Sequence, residues 1–159
     1  MNITVLAVGR LKEKYWRDAT EEYARRLGAY CSLRIREIKD VPIPKKASPA
    51  EEEAVKAAEG RELLAALKDS DYVITLEIKG KELSSEALAE KLDKLAIEGR
   101  SDIVFIIGGS LGLSREVSAR ANMKLSFSPM TFPHQMMRVI LLEQIYRSFK
   151  INRNETYHK

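Results

Sequence analysis

Apolar residues along this chain follow two periods. Ile3 to Val8 and Ile103 to Ile107 are near-continuous apolar runs rich in β-branched residues, as expected of strands buried on both faces of a parallel sheet. Elsewhere the spacing turns helical. Trp16, Ala19, Tyr23, Leu27 and Tyr30 recur every three or four positions and predict an amphipathic helix over 13–29. Glu21–Arg25 and Glu22–Arg26 stand four apart on its wet side, in the favourable order. Leu33 and Ile35 alternate with Arg34 and Arg36 and predict a second, more exposed strand.

Proline, glycine and serine place the remaining boundaries. Pro42, Pro44 and the Lys45-Lys46 pair make a loop. Ser48-Pro49-Ala50-Glu51 starts a helix, with Ser as N-cap, Pro at the first helical position and Glu placed for a capping box. That helix is expected to reach about residue 67. With only Val55, Ala58 and Leu64 as weak inward contacts, it should lie across the outside. Tyr72 to Ile78 is the third strand. Ser84 or Ser85 caps a helix with Leu88, Leu92, Leu95 and Ala96 on one face, stopped by Gly99. After the strand at 103–107 come Gly108-Gly109-Ser110-Leu111-Gly112-Leu113, a short polar helix, a proline-punctuated loop from Leu125 to His134, and a long helix over 135–152. Strands alternating with helices predict an α/β fold in one domain, 1–159: a mostly parallel sheet with helices on both faces.

Composition narrows the setting. A chain of 159 residues, 45% hydrophobic and 31% charged, suits one ordinary globular core. The single cysteine, Cys31, excludes an internal disulfide, and the apolar start is too short for a signal-peptide core. Nothing approaches the roughly 20 apolar residues of a membrane span, so a cytoplasmic protein is expected. The net charge of +4 is unevenly spread: Leu111 to Lys159 holds eight Lys or Arg against three Glu, leaving 19 basic and 20 acidic groups before it. Such a bias suits a polyanionic partner, although a merely solvated basic face has the same composition.

Candidate chemistry gathers in the last third. Ligands of open parallel sheets bind outside the carboxyl ends of the strands, here Thr75-Leu76-Glu77 and Ile107-Gly108-Gly109-Ser110. The glycines admit close backbone approach, yet neither a phosphate-binding G-x-x-x-x-G-K-[ST] nor G-x-G-x-x-G is present. In the second loop Pro129 and Pro133 stiffen the backbone, and Ser128 and Thr131 keep hydroxyls available. Phe127, Met130 and Phe132 offer apolar walls suited to an adenine ring or a sulfonium methyl, or else core under a rigid crossover. The helix that follows is apolar right around at 139–142, which predicts burial against both the sheet and a second copy. No metal is expected, because His134 and His158 lie 24 positions apart without cysteines at ligand spacing. His134, next to Pro133, reads as a helix cap.

Taken together, Ile3-Thr4-Val5-Leu6-Ala7-Val8-Gly9, Gly108-Gly109-Ser110-x-Gly112, the stretch from Phe127 through Met130-Thr131-Phe132-Pro133-His134-Gln135-Met136-Met137 to Arg138, and the closing Tyr157-His158-Lys159 resemble the ribosomal large subunit methyltransferase H family of SPOUT-class enzymes. The resemblance covers essentially the whole chain. It implies a C-terminal trefoil knot, a homodimer, and methyl transfer from S-adenosylmethionine to N3 of a pseudouridine in an intersubunit stem-loop of 23S ribosomal RNA. By motif position it implies that Leu76, Gly108, Phe127, Ser128, Pro129, Met130, Thr131 and Phe132 hold the cofactor. Such a displacement needs in-line positioning and a group that takes the N3 proton or stabilises the anion. Arg138 is a candidate for charge stabilisation, His158 for proton acceptance and Tyr157 for orienting the base. The tail carrying Tyr157 and His158 is expected to order only on RNA. Two other readings compete: a non-catalytic RNA- or ribosome-binding module on the same basic face, and a nucleotide-dependent oxidoreductase using the Gly108 turn. The latter lacks an acidic ribose ligand at a convincing spacing after Gly112.

Overall fold

The computed structural model describes all of residues 1–159. Ten elements follow in order: β1 (Asn2–Val8), α1 (Lys14–Leu27), β2 (Ser32–Ile38), α2 (Pro49–Ala65), β3 (Tyr72–Glu82), α3 (Ser85–Ile97), β4 (Asp102–Ile107), α4 (Arg115–Arg120), β5 (Met123–Ser126) and α5 (His134–Asn152). All strand pairs are parallel and the sheet order is β2-β1-β4-β3-β5. The strand β4, apolar from Ile103 to Ile107, takes the centre, with Ile3 opposite Ile103 and Val5 opposite Phe105.

Alternation along the strands builds two cores. Ile3, Val5, Ala7, Ile103, Phe105 and Ile107 point to the face covered by α1, α3 and α5. Leu6, Val8, Val104 and Ile106 point to the other, under Leu63 of α2 and Val117 of α4. Helices therefore cover both faces, as the sequence predicts. Their starts are equally legible: Ser48 and Glu51 form the reciprocal capping box, and Ser84 accepts from the Ala87 N–H at 3.1 Å.

Three features depart from expectation. The first is a fifth strand, β5, over Met123–Ser126, which the reading of a loop from Leu125 did not foresee because its four residues are too short for a pattern. The helix α2 does not merely lie across the outside with Val55, Ala58 and Leu64 inward. Val55, Glu59, Gly60 and Leu63 are its buried residues, while Ala58 and Leu64 are half-buried. The reason is Gly60: a Cβ there would stand 2.4 Å from Ser114 Oγ, so the missing side chain lets the helix settle onto the start of α4. The third strand also runs on beyond Ile78 to Glu82. Its pairing with β5 shifts register between Leu76 and Lys81, and the polar residues past Ile78 read as loop because they form the exposed end of an edge pairing.

Gly80 sits inside that shift. A Cβ at this position would meet backbone atoms of Lys124 and Leu125 at 2.8 Å. Backbone cannot swing aside as a side-chain tip can, so Gly80→Ala is expected to destabilise by about 3 kcal/mol through overpacking. Urea unfolding checks this, and an unchanged midpoint would refute it.

Candidate cofactor cavity and adjoining recess

The middle of β3, where its pairing with β5 shifts register, and the carboxyl ends of β4 and β5 open onto one cavity of about 810 Å³. Residues 76–79, 107–113, 125–128, 130–134 and Met137 supply its walls, so three segments far apart in sequence meet at one end of the sheet. Leu76, Gly108, Phe127, Ser128, Met130, Thr131 and Phe132 all line it, whereas Pro129 stands outside the wall. Gly108 is pressed close: a Cβ would meet the Gly112 carbonyl carbon and Leu113 Cδ2 at 3.0 Å. The loop then folds on itself, with the Gly112 N–H donating to the Gly109 carbonyl at 3.0 Å and Gly112 at φ +87°. In the second loop Ser128 accepts from the Met130 N–H at 3.0 Å and Ser126 Oγ donates to the Ser128 carbonyl at 3.2 Å, which holds the turn over the cavity. Met130 is 72% exposed at the rim of the cavity. Glu77 also lines the cavity, oriented by hydroxyls of Thr75 at 2.6 Å and Ser118 at 2.9 Å.

A second recess of about 380 Å³ adjoins the first. Residues 8–10 and 40–43, together with Glu59 and Gln135, line it, and it shares Gly109, Ser110, Leu111 and His134 with the larger cavity. Burial and the nearby Arg138 hold the His134 imidazole below its ordinary pKa, so it is neutral at physiological pH. Glu59 is 5% exposed. Burial pushes its carboxyl above the usual carboxylate range, against the lowering effect of a Val41 N–H that donates to Oε2 at 3.1 Å.

The sign of that shift sets a prediction. A carboxyl whose pKa is higher folded than unfolded favours the folded state at low pH, and this contribution is lost as pH rises through the folded pKa. Glu59→Gln is therefore expected to melt higher than the parent at pH 8, with the advantage shrinking toward pH 4. Thermal melts across that range check it; a lower melting point at pH 8 would contradict the assignment.

Residues 1–158 match the family model described as "Predicted SPOUT methyltransferase". The chain belongs to the SPOUT methyltransferase family. Such membership implies the knotted α/β fold and a methyl donor of the S-adenosylmethionine type. Among its relatives are proteins named "Ribosomal RNA large subunit methyltransferase H" from Clostridium novyi and Clostridium acetobutylicum, 57% and 55% identical over 159 residues that cover all of both chains.

In this SPOUT chain the three residues singled out for chemistry lie outside both cavities. Arg138 is 1% exposed beneath them. Its Nη1 pairs with Glu37 Oε1 at 2.6 Å and its Nη2 donates to the Gly9 carbonyl at 2.5 Å, tying α5 to the ends of β1 and β2, while Nε finds no partner. Tyr157 and His158 pack on the far half of α5. The tail expected to order only on RNA is folded against its own helix instead. Tyr157 donates to Glu143 at 3.1 Å, lies edge-on to Tyr146 with centroids 5.0 Å apart, and has the Arg147 guanidinium 4.7 Å from its ring. His158 contacts Glu86 at 2.8 Å. Glu143 is nine residues past His134, roughly 14 Å along the helix.

Sequence reasoning missed three residues that the SPOUT cavities bring together. Glu59 is one charge among many on a helix rich in Glu, and only its buried setting distinguishes it. His134 reads as a cap because its neighbours in the recess, Gly9 and Asp40, are remote in sequence. Glu77, where the apolar run of β3 ends, was the most accessible, since a carboxylate after such a run is visible in Thr75-Leu76-Glu77.

Proposed function

We propose that this SPOUT enzyme transfers a methyl group from S-adenosylmethionine to N3 of a pseudouridine in the intersubunit stem-loop of 23S ribosomal RNA, acting as a cytoplasmic homodimer on the assembled ribosome. The observation that carries the reading is the convergence of Leu76, Gly108 and the Phe127–Phe132 loop on one cavity at one end of the sheet. The names of the relatives support the RNA substrate.

The residues present fit the cofactor. The 810 Å³ cavity lies within the range of small-molecule sites, roughly 300–1,000 Å³. Apolar walls from Leu76, Leu125 and Phe127 suit an adenine, Gly108 and Gly112 offer close backbone approach, and Glu77 offers an oriented acceptor for a hydroxyl or ammonium. When bound, the sulfonium supplies an electrophilic methyl group.

The chain's own residues supply position and proton acceptance. Phe127, Met130 and Phe132 exclude water from one side. His134, neutral and in the cavity wall, accepts the N3 proton on its imidazole nitrogen. Arg138 acts as a positioning residue that fixes the start of α5 and hence His134. Tyr157 and His158 lie too far along α5 to reach their own cavity, so they serve the cavity of a second copy, where they orient and cover the base. Half-exposed Met136, Val139 and Ile140 on α5 provide an apolar face for that second copy. The knot implied by the family would hold the three cavity segments together.

Purified protein incubated with tritiated S-adenosylmethionine and ribosomes from cells lacking this chain is expected to label 23S RNA, and mass mapping to place the methyl on N3 of one pseudouridine. Ribosome binding without label would favour the non-catalytic module instead.

A further inference from the structure

The recess beside the cofactor cavity holds a group that cofactor binding leaves unused. Glu59 Oε2 is satisfied by the Val41 N–H, whereas Oε1 has no donor in the chain and faces Gly109, where a Cβ would stand 3.3 Å away. An oxygen of a residue only 5% exposed, without a protein donor where that residue lines a recess, is free to accept from an occupant. Nor is the carboxyl placed by a loose chain. It stands on α2 next to Gly60, whose missing Cβ seats the helix against Ser114 at the glycine loop.

The recess has the size and the position for a flipped base. Its 380 Å³ is near the lower end of ligand sites, roughly 300–1,000 Å³, and enzymes acting on bases read the extruded base through its hydrogen-bonding edge. It shares Gly109, Ser110, Leu111 and His134 with the cofactor cavity, so an occupant meets the methyl donor across that common wall. Arg10 and Lys12, exposed at its mouth and engaged in no side-chain ion pair, suit the flanking phosphates.

We propose that this recess is the acceptor-base subsite, and that Glu59 Oε1 accepts the N1–H of pseudouridine and thereby sets preference for pseudouridine over uridine. The inference rests on the pseudouridine-N3 reading. Pseudouridine is joined to its ribose through carbon, which leaves N1 with a proton; in uridine N1 carries the sugar and has none. N1 and N3 flank the same carbonyl, so docking N1–H on Glu59 turns N3 toward the shared wall and His134. A site built to hydrogen-bond a substrate N–H rejects the analogue lacking it, because its own acceptor is left unpaired.

The test compares methyl transfer by the full-length parent, Glu59→Ala and Glu59→Gln to two ribosome preparations, one with pseudouridine and one with uridine at the target. The parent is expected to prefer pseudouridine. Both variants should lose roughly 10- to 100-fold in kcat/KM on pseudouridine ribosomes, the range of a hydrogen bond to a charged group, and change little on uridine ribosomes. S-adenosylmethionine affinity by calorimetry should stay within about twofold of the parent. Gln belongs in the set because its amide keeps an oxygen for Val41 while presenting N–H to N1–H, so it removes the readout without opening a hole. Equal losses on both ribosomes, or undiminished preference in Glu59→Gln, would overturn the role of Glu59. If the parent labels neither preparation, it is the underlying pseudouridine-N3 reading that fails.

Discussion

Removal of Tyr157, His158 and Lys159 is expected to abolish methyl transfer to ribosomes, by at least about 100-fold, while S-adenosylmethionine binding survives. The truncation leaves every residue of the 810 Å³ cavity in place. What it takes away is the Tyr157 hydrogen bond to Glu143, its edge contact with Tyr146 and the Arg147 guanidinium near its ring, together with the contacts of His158 with Glu86 and Arg147. Each of these part-exposed contacts is worth little, about 1 kcal/mol or less for those of Tyr157, so the truncated chain is expected to melt slightly lower yet stay folded. Loss of activity with the fold and the cofactor affinity retained therefore assigns the tail to the RNA side of the reaction. Mixing the truncated chain with a His134→Ala chain offers a sharper measurement. If the tail serves the cavity of a second copy, mixed dimers hold one complete site and recover part of the activity. A fully active truncation would sink the assignment.

The second large effect is expected at Arg138. Replacing it with Met keeps much of the volume but strands the Gly9 carbonyl and leaves Glu37 with only the Leu11 N–H at 3.3 Å, where both now accept from its two terminal nitrogens. Breaking a buried ion pair from one side typically costs about 3–5 kcal/mol. Glu37 is about one-third exposed, 35% by side chain, and solvent softens its loss, so the low end of that range, about 3 kcal/mol, is expected. Urea unfolding measures it. Arg138→Lys separates position from charge: a lysine carries the charge but cannot bridge Glu37 and Gly9 with a planar fork. It should recover little of the stability, and transfer should fall with it. Full activity in Arg138→Lys would show that the tie from α5 to β1 and β2 is dispensable.

Sequence reading went furthest where one physical cause dominates. The strands β1 and β4 are buried on both faces, and their runs Val5–Val8 and Ile103–Ile107 say so in every residue. Ser48-Pro49-Ala50-Glu51 is a local signal, complete within four residues, and it is realised as written. Reading failed where packing depends on what is missing. Gly60 permits α2 to press onto Ser114, but a glycine in a helix carries no mark of the neighbour it admits. Gly80 hides the continuation of β3 in the same way. The tail depended on a tertiary cluster, Tyr146, Arg147 and Glu143, that no run of residues near position 157 could reveal. At the cavity, the residues alone suggested apolar walls, a proline-stiffened loop with free hydroxyls and close backbone approach at the glycines. Family resemblance grouped Leu76 with Gly108 and the second loop, and the structure places them on one wall with the exception of Pro129.

Because β4 lies between β1 and β3 in space but follows both in the chain, the sheet cannot close in order of synthesis. During translation the first hundred residues emerge with the middle of their sheet absent, and β1 and β3 each expose an unpaired edge to solvent. Ligand binding must wait longer still, until Met137 at the start of the final helix joins the cavity. Contacts of such sequence separation fold slowly. The nascent protein thus passes through a prolonged stage in which it is sticky and cannot bind its donor. Cellular S-adenosylmethionine, by binding only the finished chain, would pull that late closure forward.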